Sequence, residues 1–213
     1  LPNLKYLYVP TPGLHVGRHA GMTEASGEYL VFADDDIDAS PSWLKSMLDS
    51  FEAGAAMVGG NNYPMFLGSP THWVAEMWEE SWLSDGSGRM LPALSLLEWR
   101  GQMGFSSLHV FGCNFGIRKD VLLGAGGFHP DGMPPDLIRF RGDGESHVSR
   151  HVQESGLPVS FNPGASVHHK VPTSRMTPDY FRQRGFNQGV SDSFTALREP
   201  DASWLRRSLR KGR

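Results

Sequence analysis

The sequence predicts an α/β protein in which a mostly parallel sheet is flanked by helices. Three observations carry this prediction. Tyr29-Leu30-Val31-Phe32-Ala33 is a short continuous apolar run, as in strands buried on both faces of a parallel sheet. Similar runs alternate along the chain with helix-length amphipathic segments, the order expected of layered α/β domains. The run ends directly in Asp34-Asp35-Asp36, and ligands of open α/β sheets bind beyond the carboxyl ends of the strands.

The elements follow in order. Lys5-Tyr6-Leu7-Tyr8-Val9 reads as a first strand, closed by the turn Pro10-Thr11-Pro12-Gly13. Val16 to Ala25 is helical, and the strand 29–33 follows. Ser40-Pro41 opens a helix as N-cap and first-turn proline, with Trp43, Leu44, Met47, Leu48 and Phe51 on one face. Ala55 to Gly60 is a short buried strand. Residues 63–107 are rich in Trp and Met, with a helix from Thr71 to Leu83; an aromatic stripe at helical spacing belongs to a core more often than to a ligand platform. Leu108 to Phe111 is strand-like, Lys119 to Leu123 helical, and Gly124 to Gly127 a stop. A Pro/Gly-rich loop, 129–142, precedes a helix that begins near Asp143 and ends at Gly156. Strands at 158–161 and 167–171 and a long helix from Tyr180 to about Leu197 complete the domain. Residues 1–197 thus form one domain and 198–213 a basic tail, whose Trp204-Leu205-Arg206-Arg207 pattern suits a solvated end or contact with a membrane surface. The chain opens at Leu1-Pro2-Asn3-Leu4 and goes at once into the first strand, so a first strand–helix–strand unit is expected to be missing.

Composition narrows the function. The 213 residues are 39% hydrophobic and 20% charged, a globular balance, and the net charge of −3 gives no support for a nucleic-acid partner. The single cysteine, Cys113, excludes an intrachain disulfide and a cysteine-based zinc cluster. With no apolar run of about 20 residues and no visible signal peptide, the expected location is cytoplasmic.

The three aspartates are the strongest chemical signal. Asp34 and Asp36 share one side of an extended chain, and carboxylates at a strand end suit a hard divalent cation. An EF-hand is excluded: counted from Asp34, its required glycine falls on Ala39 and its glutamate on Lys45. The remaining possibility is a site with one or two protein carboxylates, completed by phosphates and water, as Mg²⁺ or Mn²⁺ sits in nucleotide-handling enzymes. Asp143 and Glu145 open a helix, where acids either cap the N-terminus or serve as a general base. His147 and His151 lack the His-Glu-x-x-His pattern and read as surface histidines. His168-His169 ends a strand-like segment, and Cys113 reads as a buried inert thiol.

Taken together, these segments resemble family 2 glycosyltransferases of the GT-A fold, with its Rossmann-like sheet. Gly17-Arg18-His19-Ala20-Gly21 and Ala25-Ser26-Gly27-Glu28 through Asp36 are similar to that family's donor-side segment, with Gly17 and His19 replacing the usual alanine and asparagine. The resemblance implies a nucleotide-diphospho-sugar donor held by Arg18, Asp34, Asp35 and Asp36, with Asp34 and Asp36 meeting Mn²⁺ or Mg²⁺. It implies that His169, or His168, completes the metal site. Cys113 to Arg118 and Gly126-Gly127-Phe128 resemble the acceptor-side segment, so Asn114, Gly127 and Phe128 are candidate contacts for a saccharide, lipid or other hydroxyl acceptor. The family's Glu-Asp pair is altered to Gly144-Glu145; Glu145 fits the base position and Asp143 is its rival. The implied reaction is inverting, metal-dependent sugar transfer, on a chain lacking much of the nucleoside pocket. A metal-dependent sugar-nucleotide hydrolase or nucleotidyltransferase, and an inactive binding module, are the alternatives.

Overall fold

A computed structural model describes residues 4–101 and 104–198. Its helices are α1 (Leu14–Glu24), α2 (Trp43–Glu52), α3 (His72–Glu79), α4 (Lys119–Gly124), α5 (Glu145–Glu154) and α6 (Pro178–Arg198). Its strands are β1 (Tyr29–Ala33), β2 (Ile37–Ala39), β3 (Met57–Gly59), β4 (Asn62–Leu67), β5 (Gly88–Leu91), β6 (Leu96–Trp99), β7 (Asn114–Arg118), β8 (Val159–Phe161) and β9 (Val167–Pro172).

The strands form two sheets, ordered β1-β7-β3-β8 and β2-β9-β4-β6-β5. In the first, β7 pairs antiparallel with both β1 and β3, while β3 pairs parallel with β8. Three of its strands therefore run one way and β7 alone reverses. The second sheet is mixed: β4 and β9 are parallel, and the β2–β9, β4–β6 and β5–β6 ladders are antiparallel. The α/β layering matches the sequence prediction, but the mostly parallel sheet does not: among the described residues five of the seven strand pairings are antiparallel, because apolar runs report burial and not strand direction.

Alternation along the strands decides which side chains go to which layer. Met57, Phe115 and Ile117 join Val148 and Val152 of α5 on one face of the first sheet. Val58, between those positions, joins Met47 and Phe51 of α2 on the other. The second sheet has its own cluster, in which Val74 and Trp78 of α3 meet Leu91, Leu94, Leu96 and Val171. Trp78 and Trp99 are buried, so these members of the aromatic stripe are core, as expected.

Several local expectations change. Lys5–Val9 forms no strand; Tyr6 and Tyr8 are exposed, and the alternating pattern finds no neighbouring ladder. The α2 helix starts at Trp43 because the Ser40 and Ser42 hydroxyls both donate to the Gly164 carbonyl, at 2.8 and 3.1 Å, instead of capping. α3 is shorter than predicted. Leu108–Phe111 is no strand: a 3₁₀ turn covers Ser107–His109, and the strand begins at Asn114. The basic tail beyond Arg198 lies outside the described residues.

Candidate active site

The aspartates sit at a seam. β1 belongs to the first sheet and β2 to the second, so Asp34-Asp35-Asp36 is the corner where the chain crosses between them. Asp35 points outward and is exposed. Asp36 turns inward, its Oδ2 2.9 Å from Nη1 of Arg175. Its Oδ1 lies 3.3 Å from Nε2 of His169, yet is buried without a hydrogen-bond partner among the described residues. The His169 Nδ1 lies 2.9 Å from the Leu94 carbonyl oxygen, which can only accept, so Nδ1 carries a hydrogen; Nε2 is the nitrogen that faces Asp36, with Arg175 Nη1 3.5 Å from it.

An orphaned carboxylate oxygen beside an imidazole nitrogen is a pair of side-chain atoms that a divalent cation could bridge. The carbonyl bond on the far nitrogen is the kind of outer partner that fixes a metal-ligating histidine. Asp36 and His169 therefore fit a metal. His168 does not: strand alternation turns it to the opposite face of β9, where it is exposed beside the Tyr63 ring at 5.6 Å. No group of three metal-ligating side chains is assembled among the described residues. Asp34, Asp36 and His169 are thus not gathered into the three-ligand set that the resemblance implies.

Beside the corner lies a polar cavity of about 150 Å³, lined by Arg18, Asp34, Asp131, Arg141, Glu145 and Arg184 among others. Arg18 is the one buried residue of α1. Its guanidinium lies 5.3 Å above the Phe128 ring, 3.2 Å from Glu145 Oε2 and 3.6 Å from Asp34 Oδ1. Burial pushes the Asp34 carboxyl up; Arg18 opposes this, while Asp36 and Glu145 add to it. The Gly112 N–H donates to Glu145 Oε1 at 3.3 Å, holding the carboxylate at the cavity wall.

Asp143 has a different environment. His129 Nδ1 contacts its Oδ1 at 2.5 Å, and Arg150 and Thr195 both donate to its Oδ2. Burial alone would raise its pKa, but hydrogen bonds from His129 and Thr195 and the nearby cations hold it below the usual carboxylate range. With both oxygens engaged, Asp143 clamps the 129–142 loop and α5 to α6. A depressed folded pKa contributes stability that is full above the unfolded carboxyl value and is lost as pH falls through the folded one. Urea midpoints are thus expected to converge between the native chain and Asp143→Asn as the pH is lowered below about 4; a constant gap across acid and neutral pH would refute the clamp.

The acceptor-side candidates prove to be internal. Asn114 is buried: its amide donates to Asn62 Oδ1 at 3.1 Å and to the Ala165 carbonyl at 2.9 Å, and its oxygen accepts from Trp43 Nε1 at 2.9 Å. Every polar atom is used inside the fold, so none faces an acceptor. Asn114→Ala would strand three partners and is expected to cost about 3 kcal/mol, read from the denaturation midpoint. Gly127 adopts φ 82°, and a Cβ there would sit 2.5 Å from His19 Nε2. Phe128 is a core residue whose N–H donates to His19 Nε2 at 2.9 Å. Both support α1, and through it Arg18, rather than touching an acceptor.

Four site residues carried no signal of their own in the sequence. Arg175 comes from the turn after β9. Asp131 is salt-bridged to Arg141 at 2.6 Å; burial pushes its carboxyl up, Glu145 adds to this, and Arg141 opposes it. A Cβ on Gly144, at φ 55°, would lie 2.6 Å from Asp131 Oδ2. The glycine that replaces the family's acid therefore leaves space that another carboxyl fills from across the loop, and the noted departure at 144 was the one signal that could have prompted a search for it. Arg184, on α6, makes no ion pair or hydrogen bond among the described residues. His147 stacks on His129 with ring centroids 3.6 Å apart, a structural contact. Burial raises the Cys113 thiol, keeping it neutral and inert.

The comparisons give the family: the model of "Glycosyl transferase family 2" matches residues 1–123, more than half of the chain, and the chain belongs to that family. Its mixed sheets flanked by helices are those of the GT-A fold. One relative, a glucosyl-dolichyl phosphate glucuronosyltransferase of Haloferax volcanii, is 27% identical over 201 residues, covering 90% of this chain and 58% of the relative. Another, the succinoglycan biosynthesis protein ExoM of Rhizobium meliloti, is 24% identical over 196 residues, covering 88% of this chain and 54% of the relative. The chain thus spans about half the length of these relatives.

Proposed function

We propose that this chain is the catalytic part of a metal-dependent, inverting glycosyltransferase that moves a sugar from a nucleotide-diphospho-sugar to an acceptor hydroxyl. The observation that carries this reading is the nearness of two unlike carboxylate environments: Asp34 and Glu145 line one polar cavity, and Asp36 stands in the same corner as Asp34. Asp36 has an orphaned oxygen 3.3 Å from Nε2 of His169. Glu145 has an oriented carboxylate beside open space.

Asp36 and His169, with Asp34 alongside, would hold Mn²⁺ or Mg²⁺, which supplies Lewis-acid stabilisation of charge on a departing diphosphate. Arg18 adds a fixed positive charge on the same side. Glu145 accepts the acceptor's proton as its oxygen attacks, and the Gly112 N–H and Arg18 keep that carboxylate aimed. Asp143, saturated by His129, Arg150 and Thr195, is not available for that step. Attack from the face opposite the leaving group inverts the anomeric centre; the reaction differs from glycoside hydrolysis in that an acceptor hydroxyl takes the place of water.

The relatives' names concern transfer to a glucosyl-dolichyl phosphate and succinoglycan biosynthesis, which supports a saccharide acceptor. No helix of the described residues is long and apolar enough to cross a membrane. The test is a panel of UDP- and GDP-sugars with Mn²⁺, with and without saccharide acceptors, read by diphosphate release and by the anomeric configuration of the product. Acceptor-dependent release with inversion is expected. Release without transfer would assign a hydrolase, and failure of UDP or GDP to bind with Mn²⁺ would assign an inactive module.

A further inference from the structure

Asp34 and Asp36 each have a guanidinium beside them, and the two guanidiniums differ. Arg18, 3.6 Å from Asp34, is buried on α1 and is held by Glu145 and the Phe128 ring as well. Arg175, 2.9 Å from Asp36, comes from the 3₁₀ turn Thr173–Arg175, and its side chain is 34% exposed. Asp36 is its one carboxylate partner among the described residues. Arg18 is therefore a fixed charge, whereas Arg175 can swing into solvent without disturbing a core.

Arg175 also stands where a bound cation would be felt. Asp36 Oδ1 and His169 Nε2, the two atoms that a cation could bridge, are 3.3 Å apart. Nη1 of Arg175 lies 2.9 Å from the other oxygen of that carboxylate and 3.5 Å from that same nitrogen. A divalent ion on the pair would stand against a like charge. Moving Arg175 aside frees a guanidinium that wants carboxylate or phosphate oxygens. Asp34 and Glu145 are already engaged by Arg18, and Asp35 faces outward. The anion must then arrive with the ligand.

Resting on the sugar-nucleotide reading above, we propose that Arg175 is the resident counter-ion of Asp36 and makes cation binding conditional on a diphosphate. Mn²⁺ or Mg²⁺ takes the carboxylate over from the guanidinium only when the nucleotide's phosphates receive that guanidinium in turn. Cation and nucleotide therefore load together rather than one at a time.

The test titrates Mn²⁺ into the whole chain, alone and with saturating UDP or GDP, and follows free Mn²⁺ by electron paramagnetic resonance. In the native chain the nucleotide is expected to tighten Mn²⁺ binding by at least about tenfold, a common size for coupling between two ligands. Arg175→Gln should tighten the binding of Mn²⁺ alone by about tenfold and shrink the coupling by a similar factor. A merely structural arginine would not raise an affinity when removed, so the direction of the change separates the two roles. Arg118→Gln is the control. It removes a cation at the far end of the β1–β7 ladder, opposite Tyr29, and should leave both quantities unchanged. Circular dichroism confirms that each variant folds. An Arg175→Gln chain that binds Mn²⁺ no more tightly than the native one would overturn the proposal. So would a native chain that binds nucleotide yet holds Mn²⁺ equally with and without it. Failure of UDP and GDP to bind with Mn²⁺, read by calorimetry, would refute the sugar-transfer reading and the diphosphate's part here. Tighter Mn²⁺ on Arg175→Gln without nucleotide would still leave the counter-ion role standing.

Discussion

Glu145→Gln is expected to lower turnover by about 10²–10⁴-fold, the usual contribution of a positioned general base, while leaving nucleotide affinity nearly unchanged. The amide keeps the volume of the carboxylate and can still accept from the Gly112 N–H. It cannot take up a proton at neutral pH, and it no longer balances Arg18, whose remaining anion is Asp34 at 3.6 Å. Asp143→Asn supplies the contrast. It should weaken the contacts of His129, Arg150 and Thr195 and lower stability, with turnover per folded molecule much less affected. Single-turnover rates on folded protein decide between them: an active Glu145→Gln beside an inactive, folded Asp143→Asn would move the base to Asp143.

Asp36→Ala is expected to abolish the Mn²⁺-dependent part of UDP or GDP binding, a loss beyond the roughly 10–100-fold typical of an outer-sphere partner. The substitution removes the orphaned Oδ1 and releases Arg175 from its 2.9 Å ion pair. Metal-independent binding should persist, since Arg18 is untouched. His169→Leu should give the same phenotype, because the nitrogen facing Asp36 goes with the ring. His168→Ala should not, since that side chain projects from the other face of β9. Retention of full Mn²⁺ dependence by Asp36→Ala would refute the metal assignment.

The strand at 29–33 and its acidic end were legible because both signals are local, but the apolar run did not tell that β1 is an edge strand, antiparallel to β7, with Leu30 alone fully buried. The choice between His168 and His169 was not, since it depends on which face of β9 meets the corner. Asn114 looked available to an acceptor for the same reason: a polar residue opening a strand reads alike whether it meets solvent or, as here, Asn62, Trp43 and Ala165. Lys5–Val9 has a strand's alternation without a partner, and pairing is a non-local property that alternation cannot report. β2 has only three residues, too few to show any period. Asp131, Arg175 and Arg184 are isolated charges in loops or on an amphipathic helix, and only long-range packing brings them to the site.

Asn114 carries a further consequence for how the domain melts. Its amide joins β7 of the first sheet to Asn62 on β4 of the second, and each sheet keeps a separate apolar cluster. Cooperative, all-or-none unfolding then depends on the polar stitches along the seam as much as on either core. A ligand bridging Asp34 and Asp36 would add another stitch and raise the midpoint of the entire transition by mass action. Calorimetry of Asn114→Ala should show the opposite limit, a broadened or split endotherm in which the two sheets give way in turn.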